Sequence, residues 1–140
     1  MTLRRVSPKE AYRLLEQDGY IFLDVRSVPE FEAGHPTGAY NIPLLNLGSA
    51  GMEPNHDFLT VVERVFPMNT KLVIGCKAGG RSRRAAEMLL EHGYTDIIDQ
   101  RAGFVGASDG STIEPGWQPQ GLPVSTEPEP GRSYDELVQR

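Results

Sequence analysis

The chain has a single cysteine, Cys76, among its 140 residues. One thiol cannot close an intrachain disulfide, which excludes a disulfide-stapled secreted scaffold. With no second thiol there is also no Cys-x-x-Cys redox pair. No apolar run is long enough to span a bilayer as a helix, and no membrane association is expected. Met1-Thr2-Leu3-Arg4-Arg5 is followed by Val6-Ser7-Pro8-Lys9-Glu10, without the apolar centre of a signal peptide, so a cytoplasmic location is the expectation. No internal repeat is visible. A basic excess is missing too: the net charge is −5, which argues against a broad nucleic-acid footprint. His56 sits in no cluster with ligand spacing, and no metal is expected.

One stretch runs against this acidic background. From Val73 to Ala86 there is no Asp or Glu, while Lys77, Arg81, Arg83 and Arg84 are all basic. Lys71 to Ile74 reads as a short buried strand. Cys76 follows, then a loop with Gly79 and Gly80, then Ser82 and a helical pattern carrying Ala85, Met88 and Leu89. A thiol is thus predicted at the carboxyl end of a strand, in a loop running into a helix N-terminus. The first N–H groups of a helix have no partner within it, and the helix dipole adds positive potential there. Cysteines in such places ionise well below the ordinary thiol value of about 8.5. Cys76 is therefore expected to be a thiolate nucleophile rather than a small core residue.

The run Cys76-Lys77-Ala78-Gly79-Gly80-Arg81-Ser82 resembles the active-site loop of the rhodanese (sulfurtransferase) family, Cys-x-x-Gly-x-Arg-Ser. Two more stretches agree in order. Leu23-Asp24-Val25-Arg26 is similar to the family's early strand motif. Glu30-Phe31 through Gly34-His35-Pro36-Thr37-Gly38-Ala39-Tyr40-Asn41-Ile42-Pro43 is similar to its second motif, with Pro36 where the family usually has an apolar residue. The resemblance spans roughly Val6 to Val124. It implies an α/β fold with a central, mostly parallel five-stranded sheet and helices on both faces. The alternation of strand and helix patterns points the same way.

Around the central loop the elements read in order. Ser7, Pro8 and Glu10 form a capping box for a helix whose stripe is Ala11, Leu14 and Leu15, ended by Gly19. Tyr20 to Val25 is a buried strand closed by Asp24 and Arg26. Both are expected to support the site: Asp24 by holding loops, Arg26 by orienting the active loop or contacting an anion. His35 is expected to be structural, as the resemblance implies. Leu44 to His56 reads as a loop with a helical turn near its start, forming a flap or a partner surface. Asp57 caps a helix from Phe58 to Val65, with Leu59, Val62 and Phe66 inward. Asp96 to Asp99 is the last strand of the sheet, and Arg101 either adds to the anion field or is solvated. Trp117 reads as packing. Residues 1–124 are expected as the domain and 125–140 as a polar, proline-rich linker with a short helix from Ser133 to Gln139.

The resemblance implies sulfur transfer through a persulfide on Cys76, with no other cofactor. A small anionic donor such as thiosulfate would load it, and cyanide, a thiol or a protein cysteine would unload it. Lys77, Ala78, Gly79, Gly80, Arg81 and Ser82 would hold the persulfide anion, with Lys77 and Arg81 meeting the donor's charge unless Arg81 braces the loop. Two alternatives stand beside this. One is a non-catalytic binding, regulatory or sulfur-carrier module on the same fold. The other is a cysteine phosphatase or arsenate reductase, whose loop is Cys-x5-Arg; here Cys76 to Arg81 is Cys-x4-Arg, one residue shorter.

Overall fold

A computed structural model describes residues 3–108 and 110–140. Its elements follow from short apolar runs punctuated by capping residues. Ser7 separates β1 (Arg4–Val6) from α1 (Pro8–Gln17), its hydroxyl accepting the Glu10 N–H at 3.1 Å. The reciprocal half of the expected capping box does not form, because the Glu10 carboxylate is held by Arg13. β2 (Ile21–Asp24) leads through Ser27 into α2 (Val28–Ala33), then to the two-residue strands β3 (His35–Pro36) and β4 (Tyr40–Asn41).

The 44–56 segment corrects the sequence reading. It contains no helical turn: β5 (Leu45–Gly48) and β6 (Gly51–Pro54) pair antiparallel, Leu47 opposite Met52. Its glycines and Pro54 masked the alternation that marks a hairpin. Helix α3 (Phe58–Val65) buries Phe58, Val61 and Val62, with Leu59 only partly covered.

Next come β7 (Leu72–Gly75), α4 (Gly80–Glu91) and β8 (Ile97–Gln100). A second hairpin, β9 (Gly106–Ser108) with β10 (Ile113–Pro115), precedes β11 (Val124–Ser125) and α5 (Tyr134–Leu137). The tail packs on the body. Leu137 is fully buried in one of the two cores, the Arg132 guanidinium donates to the Gly38 carbonyl at 2.8 Å, and β11 pairs with β3.

The main sheet has the order β1-β8-β7-β2-β4, and every pairing in it is parallel. Side chains alternate across it as the strand period demands. Leu23, Leu72, Ile74 and Ile97 face α3 and α4 in one core, with Val62, Ala85, Ala86 and Leu89. Phe22, Val73 and Ile98 face the other, with Ala11 and Leu14 of α1, Phe31 and Trp117. The strand order reverses between β2 and β7: from β2 the chain steps outward to β4, then returns to β7 on the other side. Crevices outside the carboxyl ends of strands at such a switch point are where open α/β sheets bind ligands. Asp24 lies opposite Gly75 in the β2–β7 register, so Cys76 and Arg26 emerge side by side there.

Candidate functional site

The loop after β7 is shaped from behind. Cys76 and Lys77 offer their carbonyls to the N–H groups of Phe104 (2.7 Å) and Val105 (3.0 Å). No peptide bond among the described residues is cis, and in a trans peptide the N–H points opposite to its C=O. Tying these two carbonyls to 104–105 therefore turns the N–H groups of Lys77 and Ala78 away from that segment. Gly103 makes the close approach possible. It has φ +71°, and a Cβ there would collide with the Lys77 carbonyl. Gln100 fixes the backing turn: its side-chain oxygen accepts the N–H groups of Ala102 and Gly103, and its amide donates to the Gly103 carbonyl.

Gly79 turns the loop into the helix with φ +99°, where a Cβ would meet the Arg101 carbonyl. Its N–H donates to Cys76 Sγ at 3.1 Å. The thiol is 3.4 Å from Ser82 Oγ, and that hydroxyl donates to the Gly79 carbonyl at 3.3 Å. Helix α4 begins at Gly80, within the stretch the sequence pattern assigns to the loop, so Gly80, Arg81 and Ser82 form its first turn. Their N–H groups are the ones a helix leaves free. Cys76 is 3% exposed and counts among the buried residues of the α3–α4 core, so the thiol sits deeper than an open anion site implies, whereas Lys77, Ala78 and Gly80 form an exposed rim over it.

Arg81 already has a partner for its charge. Its guanidinium grips the Glu30 carboxylate with both nitrogens, at 2.7 and 3.0 Å. Burial pushes the Glu30 carboxyl up, but the hydrogen bonds from Arg81 and Ser27 outweigh it and bring it down to about 2. Of the two roles open from the sequence, the geometry assigns Arg81 the brace between α4 and α2. The basic field expected from the sequence run is also offset in space: Arg83 lies 3.7 Å from Glu87. Arg101 pairs with Glu114 of β10.

Asp24 and Arg26 form a buried pair, 2% and 4% exposed. Arg26 donates to the Asp24 carboxylate at 2.8 Å and to the Gly34 carbonyl at 2.6 Å, and its guanidinium lies 4.3 Å from the Phe104 ring centre. It therefore ties β2, the α2 terminus and the segment backing the loop into one unit. His35 is buried, stacked on Phe31 with ring centres 3.8 Å apart. Its Nδ1 lies 2.7 Å from the Phe31 carbonyl oxygen; a carbonyl only accepts, so Nδ1 carries the proton. The ring is a wedge between α2 and β3.

Three residues around the site were not singled out from the sequence. Glu30 was read only as part of a motif; the Ser27-x-x-Glu30 spacing marks a helix start and could have drawn attention to it. Gln100 and Asp99, at the end of β8, carry no motif signal. Asp99 is fully buried under Ser82.

Among the described residues, no group of His, Cys, Asp and Glu is arranged to hold a metal ion, and no helix is long and apolar enough to cross a membrane.

Comparison with known proteins agrees with this geometry. The family model described as rhodanese-like domain matches residues 7–109. Thiosulfate sulfurtransferase 16, chloroplastic, of Arabidopsis thaliana is 38% identical over 106 residues, 76% of this chain and 80% of that protein. Rhodanese-like domain-containing protein 15, chloroplastic, also of Arabidopsis thaliana, is 41% identical over 98 residues, 70% of this chain but only 54% of that protein. In three dimensions, the crystal structure of Rv0390 from M. tuberculosis superposes with a TM-score of 0.74 at 25% identity, covering 91% of this chain and 100% of that one. By sequence, by fold and by the layout of the Cys76 loop, the chain belongs to the rhodanese-like domain family.

Proposed function

We propose that the protein is a sulfurtransferase that carries a sulfane sulfur as a persulfide on Cys76. The observation that carries this reading is the cradle at Sγ: the Gly79 N–H at 3.1 Å, the free first-turn amides of α4, and the outward-turned amides of Lys77 and Ala78. Backbone N–H groups arranged this way form a nest for a small anion.

The chemistry balances with a donor such as thiosulfate. The Cys76 thiolate attacks the outer sulfur, a sulfur–sulfur bond forms on Cys76, and the donor's own sulfur–sulfur bond breaks with its electron pair leaving on sulfite. The new terminal sulfur carries one negative charge, which the amides solvate. An acceptor then attacks that sulfur: cyanide, a thiol or a protein cysteine. The Cys76 sulfur leaves as thiolate, ready for another cycle. Once Cys76 is ionised, neither the attack on thiosulfate nor the discharge to cyanide needs a proton abstracted, which agrees with His35 being committed to the Phe31 carbonyl. Apart from the covalent persulfide, this chemistry asks for no cofactor.

The donor would meet the rim before the sulfur. Lys77 is exposed there, and with Arg81 committed to Glu30 it is the side chain left to meet the donor's charge. Phosphate chemistry is disfavoured by the same pair: a tetrahedral oxyanion needs an arginine fork in the bowl, and both nitrogens of this one are already held by Glu30. Parallel assays test the reading. Incubation with thiosulfate and cyanide should yield thiocyanate, and a small aryl phosphate should stay intact. Phosphate release without thiocyanate would reverse the assignment.

A further inference from the structure

Beneath Cys76 lies a buried carboxyl group that sulfur transfer as described does not use. Asp99, the penultimate residue of β8, lies opposite Ile74 of β7 and has no solvent exposure. Its Oδ2 accepts the Arg5 Nε–H at 2.7 Å, and its Oδ1 has no hydrogen-bond partner. A buried carboxylate oxygen without a donor is costly. Ser82, also fully buried, has its hydroxyl within reach of both this carboxyl and the sulfur. The Cys76 thiol donates to Ser82 Oγ at 3.4 Å. The hydroxyl's own proton goes to the Gly79 carbonyl at 3.3 Å, a long bond for an O–H donor, and a hydroxyl rotates freely among acceptors.

We propose that Asp99 is a positioning residue that receives the Cys76 proton through the Ser82 hydroxyl. Turning the hydroxyl from Gly79 to Asp99 completes the line Sγ–H, Oγ–H, Oδ1. The thiol proton passes to Oγ as the hydroxyl proton passes to Oδ1. One proton moves along the line and none is gained or lost. The charge of the trio stays at −1 before and after. This matters because Cys76, Ser82 and Asp99 are all shielded from water. Ionising the thiol with Asp99 still charged would place two negative charges on either side of one hydroxyl. With the proton on Asp99, the neutral acid donates to Ser82, and Ser82 donates to the sulfur anion.

Burial raises the Asp99 pKa, against the lowering effect of Ser82 and Arg5, which suits a carboxylate to accepting a proton. The groups facing it are Arg5 from β1 and Ser82 and Arg83 from α4; Cys76, just past the end of β7, is reached through Ser82.

The inference rests on Cys76 being the nucleophile, and its signature is a pH profile. An internal transfer gives a thiolate population that does not depend on pH between the two apparent ionisations of the coupled pair. The rate of Cys76 alkylation by iodoacetamide, measured from pH 4.5 to 9, should therefore level off on the acid side in the wild type. In Asp99→Asn and in Ser82→Ala it should keep falling about tenfold per pH unit. Asp99→Asn keeps an oxygen for Arg5, and Ser82→Ala leaves Asp99 intact, so the pair does not depend on either variant folding alone. Circular dichroism confirms folding of each. A wild-type profile falling as steeply as the variants overturns the proposal; so does a plateau that persists in both. Intact-mass analysis of the same wild-type sample after thiosulfate treatment separates the two readings. A missing sulfur adduct sinks the sulfurtransferase assignment, while the slope comparison still decides the proton path.

Discussion

Replacing Glu30 with Gln tests how the active loop is held. The wild-type carboxylate accepts both Arg81 nitrogens, the Ser27 N–H at 3.1 Å and the Ser27 hydroxyl at 2.8 Å. Its pKa falls from 4.5 to about 2, which corresponds to a ceiling of about 3 kcal/mol of folded-state preference for the ionised form. The Glu30 side chain keeps 25% of its exposure, and solvent screening lowers the working figure to about 1.5 kcal/mol.

Because the folded pKa lies below the unfolded one, this stability is fully present above about pH 4.5 and is lost as pH falls toward 2. Urea unfolding of wild type and Glu30→Gln at pH 7, 5, 3.5 and 2.5 should therefore give a difference of about 1.5 kcal/mol at the two upper values. That difference should shrink steadily through the two lower ones. Other carboxylates titrate in both proteins and cancel. A difference that stays constant from pH 7 to 2.5, or is absent at pH 7, would refute the clamp.

Three further outcomes follow from the packing. Gly103→Ala forces a Cβ against the Lys77 carbonyl at positive φ; it should lower stability by more than about 1 kcal/mol in thermal unfolding and slow sulfur loading, since it displaces the loop's backing. Leu137→Ala removes a fully buried side chain of the tail from the α3–α4 core; a loss of about 2–5 kcal/mol in urea unfolding is expected, and a neutral result would mean the tail does not dock. His35→Gln should cost stability through the lost stack on Phe31, yet leave the shape of the pH–rate profile for thiocyanate formation unchanged; a lost limb would reveal an acid–base role.

What was readable from the sequence was what local pattern encodes. The buried run from Leu72, the glycines after Cys76 and the helical stripe of Ala85 and Leu89 placed the thiol at a strand end before a helix. Three ordered motifs supplied the sheet. What escaped was set by contacts distant in the chain. Arg81 finds Glu30, 51 residues away, so the basic run looked more cationic than it is in space. Asp99 meets Ser82 and Arg5 only because β8 lies between β1 and β7. The 44–56 hairpin was hidden because Gly48, Gly51 and Pro54 break the alternation a strand reader needs. Leu137 read only as part of the short tail helix because no local feature marks the core position it fills.

The most direct test of the account is the mass of the intact protein after incubation with a sulfane donor. The wild type should gain one sulfur atom, about 32 Da, removable by cyanide with formation of thiocyanate, and Cys76→Ser should gain none. An unchanged wild-type mass, or a gain that survives in Cys76→Ser, would contradict a persulfide held in the Cys76 loop.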